Sequence, residues 1–175
     1  MTLEDLDAFI VHLDASNEES GTDGDTYFGP YSRDEKFDPE ASRERNRRRW
    51  EAPMTGSGWR RAWGVYDGDR LIAVGNVVSY EIPAEFHRVS LGMSVLRGHR
   101  RQGHGSAVLE AIIAWCREQP GIDWLDLGVF GDNAPAYALY RKFGFQETGR
   151  VEDRYRMDGN RVMDISMSLN VGRGS

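Results

Sequence analysis

The sequence predicts a fold of the α/β (α+β) class, in which helices flank a sheet that contains two hairpins. Asp67-Gly68 and Asp158-Gly159 are hairpin turn signals, and each lies between runs rich in strand-forming residues. Apolar residues recur at helical spacing after Gly105, which predicts an amphipathic helix between the hairpins. A chain of 175 residues can bury most of a core without crosslinks, so we expect residues 1–175 to form one domain.

The first part of the chain predicts two helices joined by a long loop. Thr2 and Asp5 have the spacing of a helix cap, and apolar residues follow at helical intervals, namely Leu3, Leu6, Phe9, Ile10 and Leu13. Periodicity is then lost and acids, Gly and Pro dominate, so we predict a long acidic loop over residues 14–45. The stretch PEASRERNRRRWEAP overlaps the end of this loop and indicates a short, basic helix that ends at Pro53.

The rest of the chain predicts strands and two further helices. Residues 63–82 predict a hairpin, and residues 87–95 a strand in which apolar and small residues alternate. The helix after Gly105 has one apolar face, formed by Val108, Leu109, Ile112, Ile113 and Cys116. A strand at 124–130 precedes a short helix that Asn133 caps, and a hairpin closes the chain.

Composition excludes several classes of protein. No apolar run approaches the roughly 18 residues of a membrane span, and the first residues lack the basic flank of a signal peptide, so we expect a cytoplasmic protein with no membrane partner. The net charge of −6 argues against a nucleic-acid partner. Cys116 is the single cysteine, which allows no internal disulfide, and no residues have metal-ligand spacing. Monomer and homodimer both stay open.

The turn VLRGHRRQGHG, between a strand and a helix, indicates an anion site. A helix amino terminus offers unpaired N–H groups and a partial positive charge. Gly103 and Gly105 lack the Cβ atoms that would keep a phosphate away from the backbone, and arginines add charge, namely Arg97, Arg100 and Arg101. Pyrophosphate is the group that such a turn suits.

Two familiar phosphate cradles fit this turn less well. A P-loop requires Gly-Lys-Ser/Thr at the helix start, whereas Gly105-Ser106 has no lysine before the serine. A dinucleotide fingerprint requires a third glycine where the chain has Val108. Asp126 does lie about 20 residues on, but it sits inside a strand rather than at its end.

The same turn resembles the acyl-coenzyme A signature of the GNAT acetyltransferases, Arg/Gln-x-x-Gly-x-Gly/Ala, with Arg100, Gly103 and Gly105 in the three places. A second segment, VFGDNAPAYALYRKFGF, is similar to the strand, Asn, helix and LYxxxGF ending of that family. The two segments lie within residues 89–145, and the closing hairpin is similar to the family's last two strands. The resemblance implies an acetyl-CoA-dependent N-acetyltransferase, with acetyl-CoA as cosubstrate and no metal.

The resemblance also implies a mixed, mostly antiparallel sheet that splays between two central strands, with coenzyme A in the gap. Met93 and Val95 would offer backbone groups to the pantetheine arm. The remaining implied cofactor contacts are Arg100, Arg101, Gln102, Gly103, His104, Gly105, Ser106, Asn133 and Tyr140. The chain departs from the family by lacking a strand before its first helix.

Acyl transfer to an amine requires a proton acceptor for the amine and a proton donor for the departing thiolate. Tyr140 occupies the position where the family often carries the acid, although a core role stays open, and Tyr137 is a second candidate. Ser90 stands where relatives often carry a base, but a serine cannot accept the proton at neutral pH. Glu81, Glu85 and His87 lie just before it and could act directly or through water, and Glu81 and His87 are the preferred candidate bases.

The acceptor is expected to be a primary amine of a small molecule or peptide. Acids of the long loop would favour a cationic acceptor, and they are Glu18, Glu19, Asp23, Asp25 and Asp34. A non-catalytic module stays open as an alternative. Such a module would bind acyl-CoA, or an anion through the basic helix residues Arg43, Arg45, Arg47, Arg48 and Arg49.

Overall fold

The computed structural model describes residues 1–172, which form one mixed sheet with helices on both faces. The strand order is β1-β2-β3-β4-β6-β5, and within these residues β3 and β4 form the one parallel pair. The elements are α1 (Leu6–Glu19), α2 (Pro39–Glu51), β1 (Arg60–Asp67), β2 (Arg70–Ser79), β3 (Arg88–Val95), α3 (His104–Glu118), β4 (Trp124–Phe130), α4 (Ala134–Lys142), β5 (Gln146–Met157) and β6 (Asn160–Asn170).

The predicted fold class and hairpins are confirmed. β1 and β2 pair around Asp67-Gly68, and β5 and β6 pair around Asp158-Gly159. As predicted, no strand precedes α1 in the described residues. No helix in residues 1–172 is both long and apolar enough to cross a membrane.

The boundaries predicted for the acidic loop, 14–45, are wrong at both ends. Helix α1 continues to Glu19 and α2 begins at Pro39, so the irregular segment runs from residue 20 to 38. The buried side of α1 carries polar residues, including His12 and Ser16, and these concealed its periodicity. Asp38 begins α2 as its cap, because its carboxylate accepts the amide of Ala41 at 2.9 Å.

The two faces of the sheet are covered by different helices. α3 and α4 pack against one face in the main core, where Gly75 lets α3 approach closely: a Cβ there would come within 2.5 Å of Val108. α1 packs on the other face through Phe9 and Ile10. Cys116 lies buried in the main core, and burial raises the pKa of its thiol to about 12, which confirms it as a packing residue.

His12 is a fully buried histidine that joins α1 to the sheet. Its Nδ1 lies 3.0 Å from the carbonyl oxygen of Leu71, so Nδ1 carries the hydrogen and donates it. Its Nε2 then accepts from the hydroxyl of Ser94 at 2.8 Å. Burial lowers the pKa of His12, and the charge of Arg70 lowers it further, against the opposing effects of the Leu71 carbonyl and Glu19. The ring is therefore neutral in the folded protein.

We predict that acid destabilises the protein through His12 and that His12→Gln weakens this dependence. The unfolded chain binds a proton at the ordinary pKa of about 6.5, but the folded chain binds it only at lower pH. The stabilisation from the neutral His12 ring is complete above about pH 6.5. It is lost as the pH falls below that value, at up to about 1.4 kcal/mol per pH unit. Urea unfolding at about pH 7 and about pH 5.5 measures the difference, with exposed His87→Gln as control. Equal pH dependence in the parent and the His12 variant would contradict the assignment.

Candidate active site

Strands β3 and β4 separate after a short parallel contact. They pair at Arg88, Val89 and Ser90 of β3, opposite Trp124 to Asp126 of β4, and not beyond. Each strand keeps its other neighbour: β3 stays paired with β2 as far as Val95, and β4 with β6 as far as Phe130. A gap therefore opens between two otherwise paired strands, and the backbone groups along its edges lack strand partners.

Met93 and Val95 direct their backbone groups toward this gap. The amide of Leu96 donates to the Ile72 carbonyl on the β2 side at 3.0 Å. Because successive residues of a strand face opposite neighbours, the N–H and C=O groups of Val95 and Met93 point away from β2. The Val95 carbonyl accepts from Arg100 Nε at 2.9 Å, which leaves the Val95 amide and both Met93 groups for a ligand.

The glycine-rich turn ends at the amino terminus of α3. Gly103 is the cap residue with φ 90°, a conformation that favours glycine, and α3 has no side-chain cap. A Cβ at Gly103 would meet no atom within 4 Å, so the space beside the backbone of this residue is open. Gly105 differs, because a Cβ there would lie 3.3 Å from Met93, which shows that this glycine also allows α3 to pack on β3. Of its neighbours, Arg101 and Gln102 are exposed, whereas His104 and Ser106 are half-buried.

Two of the three arginines of this turn, Arg97 and Arg100, pair with acids of the same chain. All three Arg100 guanidinium nitrogens are engaged: Nε with the Val95 carbonyl, and the other two with Asp25 at 2.7 Å and Glu19 at 2.9 Å. Arg97 likewise binds Asp23 at 2.6 Å and Asp25 at 2.9 Å. These two side chains are therefore engaged by acids of the 20–38 segment and the end of α1, whereas α3 has no side-chain cap over its first amides.

The same contacts correct the role predicted for the loop acids. Glu19, Asp23 and Asp25 are neutralised by arginines rather than being available to a cationic acceptor. The segment is held at a second place, where Tyr27 donates to Asp158 at 2.8 Å near the tip of the last hairpin. It therefore spans from the glycine-rich turn to that hairpin. Glu18 and Asp34 are exposed.

Tyr140 on α4 has a hydroxyl with no hydrogen-bond partner in residues 1–172. Its side chain is 7% exposed and its ring packs against Phe145 in the main core. Burial raises the pKa of Tyr140 well above its ordinary value, so the hydroxyl keeps its proton. The neighbouring Tyr137 donates instead to Glu147 at 3.1 Å. Asn133 caps α4 as predicted, accepting the amide of Ala136 at 3.2 Å.

A cavity of about 390 Å³ lies at the β3–β4 separation, on the face opposite α3 and α4. Its walls are mostly polar and come from β3, β4, β5 and β6, with one tyrosine after β2. The lining residues that carry its chemistry are Tyr80, Arg88, Ser90, Asp126, Tyr155 and Asp164.

Two carboxylates of this cavity differ in their surroundings. Asp126 is neutralised by Arg88 through two contacts, at 2.7 and 2.5 Å, and also accepts from Ser168 at 2.6 Å. Asp164 has no such partner, and its carboxylate lies so close above β4 that a Cβ on Gly128 would come within 2.6 Å of it. Burial raises the pKa of Asp164, partly offset by the charge of Arg154 and by Ser166. Asp164 therefore carries the unbalanced negative charge of the cavity.

The predicted bases do not line this cavity. Glu81 and His87 are exposed residues at the two ends of the β2–β3 connection. Asp164 was missed by the sequence analysis, although RVMDISMSL alternates apolar residues with Asp164, Ser166 and Ser168, which is the signal of a strand with one polar face. Within residues 1–172, no group of three or more His, Cys, Asp or Glu side chains is placed to hold a metal ion.

The turn, the gap and α4 together match a known family. The model of the acetyltransferase (GNAT) family matches residues 25–145, and the chain belongs to that family. The fold agrees: the chain superposes over 100% of its length on 93% of YncA from Salmonella typhimurium, solved with its cofactor acetyl-CoA, with a TM-score of 0.81 at 14% identity. A ribosomal-protein-alanine N-acetyltransferase from Brucella melitensis gives a TM-score of 0.78 at 20% identity, over 97% of this chain and 96% of that one.

Two curated relatives match shorter segments. L-amino acid N-acetyltransferase AaaT of Escherichia coli K12 is 34% identical over 67 residues, which are 38% of this chain and 41% of the relative. Mycothiol acetyltransferase of Brachybacterium faecium is 43% identical over 68 residues, which are 38% of this chain and 19% of that protein. The matches thus span less than half of either relative.

We predict that Gly103→Val abolishes binding of coenzyme A. The side chain would force a left-handed residue into strain and would project over the open amides at the start of α3. Gly98→Val is the matched control, because Gly98 lies in the same turn, in open space and without positive φ. Calorimetric titration measures both affinities. Unchanged affinity in a folded Gly103 variant would remove the turn from the binding site.

Proposed function

We propose that this chain is an acetyl-CoA-dependent N-acetyltransferase that acetylates a primary amine of a small molecule or peptide. The observation that carries the proposal is the β3–β4 separation, since one gap joins the open amides of α3 and β3 to a polar cavity on the other face of the sheet. A donor and an acceptor entering from the two sides would meet there.

The residues present fit acetyl-CoA. The amides from Gln102 to Ser106 would hold its pyrophosphate, because α3 has no side-chain cap and Gly103 leaves its amide side open. The free backbone groups of Met93 and Val95 would bind the pantetheine amides along the gap. When bound, acetyl-CoA supplies a thioester whose carbonyl an amine can attack.

Tyr140 would donate a proton to the departing thiolate. Its hydroxyl has no protein partner in the described residues, and burial keeps it protonated, which are two properties of a positioned acid. A tyrosine that served only the core would more usually satisfy its hydroxyl with a protein group.

Asp164 would accept the proton of the amine, in place of Glu81 or His87. The carboxylate lines the cavity, lacks an ion-pair partner within 4 Å and has a raised pKa, so it is both a stronger base than an exposed aspartate and an attractive site for an ammonium group. Asp126 is a weaker candidate for this base, because its carboxylate is ion-paired with Arg88.

The proposed class of acceptor is argued from the cavity and from one relative. A volume of about 390 Å³ with polar walls suits a small polar amine or the end of a peptide. AaaT is named as an L-amino acid N-acetyltransferase, which supports amino acids as the first acceptors to test. Release of free thiol from acetyl-CoA across a panel of amines tests turnover, and saturable coenzyme A binding without thiol release would indicate a non-catalytic module instead.

We predict that Tyr140→Phe slows acetyl transfer without loss of fold. The change keeps the ring against Phe145 and deletes one hydroxyl. General acid catalysis is typically worth about 10²–10⁴-fold, and we expect the low end because a thiolate leaves readily. Single-turnover rates measure the chemical step, with Tyr137→Phe as control because its hydroxyl already binds Glu147. A Tyr140 variant as fast as the parent would make this residue a core tyrosine.

We predict that Asp164→Asn lowers kcat/KM by about 10²–10⁴-fold and removes the acidic limb of its pH profile. The raised pKa means that the ionised carboxylate costs stability at neutral pH, so the melting temperature should stay equal or rise. Matched profiles of Glu81→Gln and His87→Gln serve as controls. If one of these controls loses the limb while the Asp164 variant keeps it, the base lies in the β2–β3 connection.

A further inference from the structure

Three arginines lie near one another on the face of the sheet that carries the polar cavity, and none has an acidic partner within residues 1–172. The other arginines of α2 are paired: Arg43 with Asp7 at 2.7 Å, and Arg47 and Arg48 with Glu44 at 3.6 and 3.7 Å. Within residues 1–172, by contrast, no carboxylate lies within 4 Å of the guanidinium groups of Arg45, Arg49 or Arg60. Arg45 and Arg49 are one helical turn apart on α2, and Arg60 begins β1 beneath them.

Arg60 holds a mostly buried charge with few hydrogen bonds. Its Nε is buried and has no partner, and one terminal nitrogen donates to the side-chain oxygen of Asn46. Asn46 is locked in that orientation, because its amide nitrogen donates to the Ser42 carbonyl at 2.8 Å. Burial, and to a lesser extent the charges of Arg49 and Arg45, lowers the pKa of Arg60 to about 10. An unneutralised buried cation beside two like charges is unfavourable, and an anion would remove both costs.

The register of the sheet places this cluster on the same face as the cavity. Arg60 pairs with Val78, Val78 with Ser90, and Ser90 with Asp126, so these residues form one row across the sheet with side chains on one face. Strands lie about 4.8 Å apart, which puts the Arg60 backbone roughly 10 Å from Ser90. The glycine-rich turn begins beyond Val95, five residues or roughly 16 Å along β3 from Ser90. The cluster is therefore distinct from the pyrophosphate turn.

We infer that Arg45, Arg49 and Arg60 form a binding site for an oxyanion, a carboxylate or phosphate group that the acceptor carries at a distance from its amine. Planar guanidinium groups bind both oxyanions through paired hydrogen bonds. Asp164 would attract the amine end of the same molecule. Asp164 lies four strands from Arg60 and four residues along β6 from the row that contains Arg60, roughly 23 Å between the two backbones. An acceptor that carries both groups is therefore an extended molecule such as a peptide. The existence of the site stands on the arginine cluster alone, whereas its assignment to the acceptor rests on the proposed acetyl transfer.

Titration of the full-length chain with inorganic phosphate tests the site. Phosphate should raise the melting temperature of the parent and of Arg48→Gln, whose arginine is exposed and paired with Glu44, and should bind Arg49→Gln at least tenfold more weakly. Arg45→Gln is a second variant for the same comparison. Ionic strength is held constant with chloride, and phosphate bound at the α3 turn affects all variants alike. Equal phosphate responses in all variants, or none in the parent, would overturn the site.

A second readout separates a binding role from a structural one. Without phosphate, Arg49→Gln should melt at the parent's temperature or above it, because the change removes repulsion with Arg60. An arginine that served only the fold would lower the melting temperature when removed. A lowered melting temperature together with unchanged phosphate affinity would therefore contradict the inference.

Acceptors that differ in one anionic group identify the source of the oxyanion. For the peptide that the parent acetylates best at its amino terminus, kcat/KM should exceed that of the same peptide with an amidated carboxyl terminus. Arg49→Gln should reduce this ratio at least tenfold while Arg48→Gln leaves it unchanged. An unchanged ratio, with phosphate binding lost, would show a site for a free anion and overturn its assignment to the acceptor. If the parent acetylates no amine, the proposed function fails, and phosphate titration still decides whether the site exists.

Discussion

The site depends on one constraint, the separation of β3 from β4 after three paired residues. The strands on either side hold β3 and β4 in place, so the gap cannot close without breaking the β2–β3 or β4–β6 ladder. The backbone groups along the gap are thereby left without strand partners. Buried backbone groups in proteins are normally hydrogen-bonded, so these groups are available to a ligand. Gly75 and Gly105 let α3 lie close enough to β2 and β3 for its amino terminus to meet the gap.

Ion pairs near the glycine-rich turn hold the neighbouring segment in position. Arg97 and Arg100 tie the 20–38 segment to the turn through Glu19, Asp23 and Asp25, and Arg100 also holds the Val95 carbonyl. Ion pairs that are partly shielded and share partners contribute more than isolated surface pairs. The turn therefore keeps its geometry, and the neutral amides of α3 are left as the groups that face an anion.

The sequence predicted the fold and the conformation of the glycine-rich turn better than the polar cavity. Turn glycines, caps and hairpin signals act locally, and Gly103, Asn133 and Asp158-Gly159 behave in the structure as their local patterns predict. The partners of Arg100 lie 75 and 81 residues away along the chain, and no local pattern encodes such contacts. Asp164 and Asp126 likewise line one cavity only because β4 and β6 pair, and the sequence alone offered Glu81 and His87 as candidate bases.

Three groups to which roles are proposed lack part of their polar pairing in the free protein: Asp164 and Arg60 on the cavity face of the sheet, and Tyr140 on the α4 face. Asp164 has a raised pKa, no ion-pair partner within 4 Å and one long hydrogen bond, from Ser166 at 3.5 Å. Arg60 has a buried Nε without an acceptor, and the Tyr140 hydroxyl makes no hydrogen bond within residues 1–172. The buried His12 shows that the same fold can satisfy a polar group completely, with one partner for each ring nitrogen. Proteins depart from local consistency mainly at functional sites, because a ligand restores the interactions that the fold withholds. Under the proposed function, these groups would face a cationic centre at Asp164, an oxyanion at Arg60 and the departing thiolate at Tyr140.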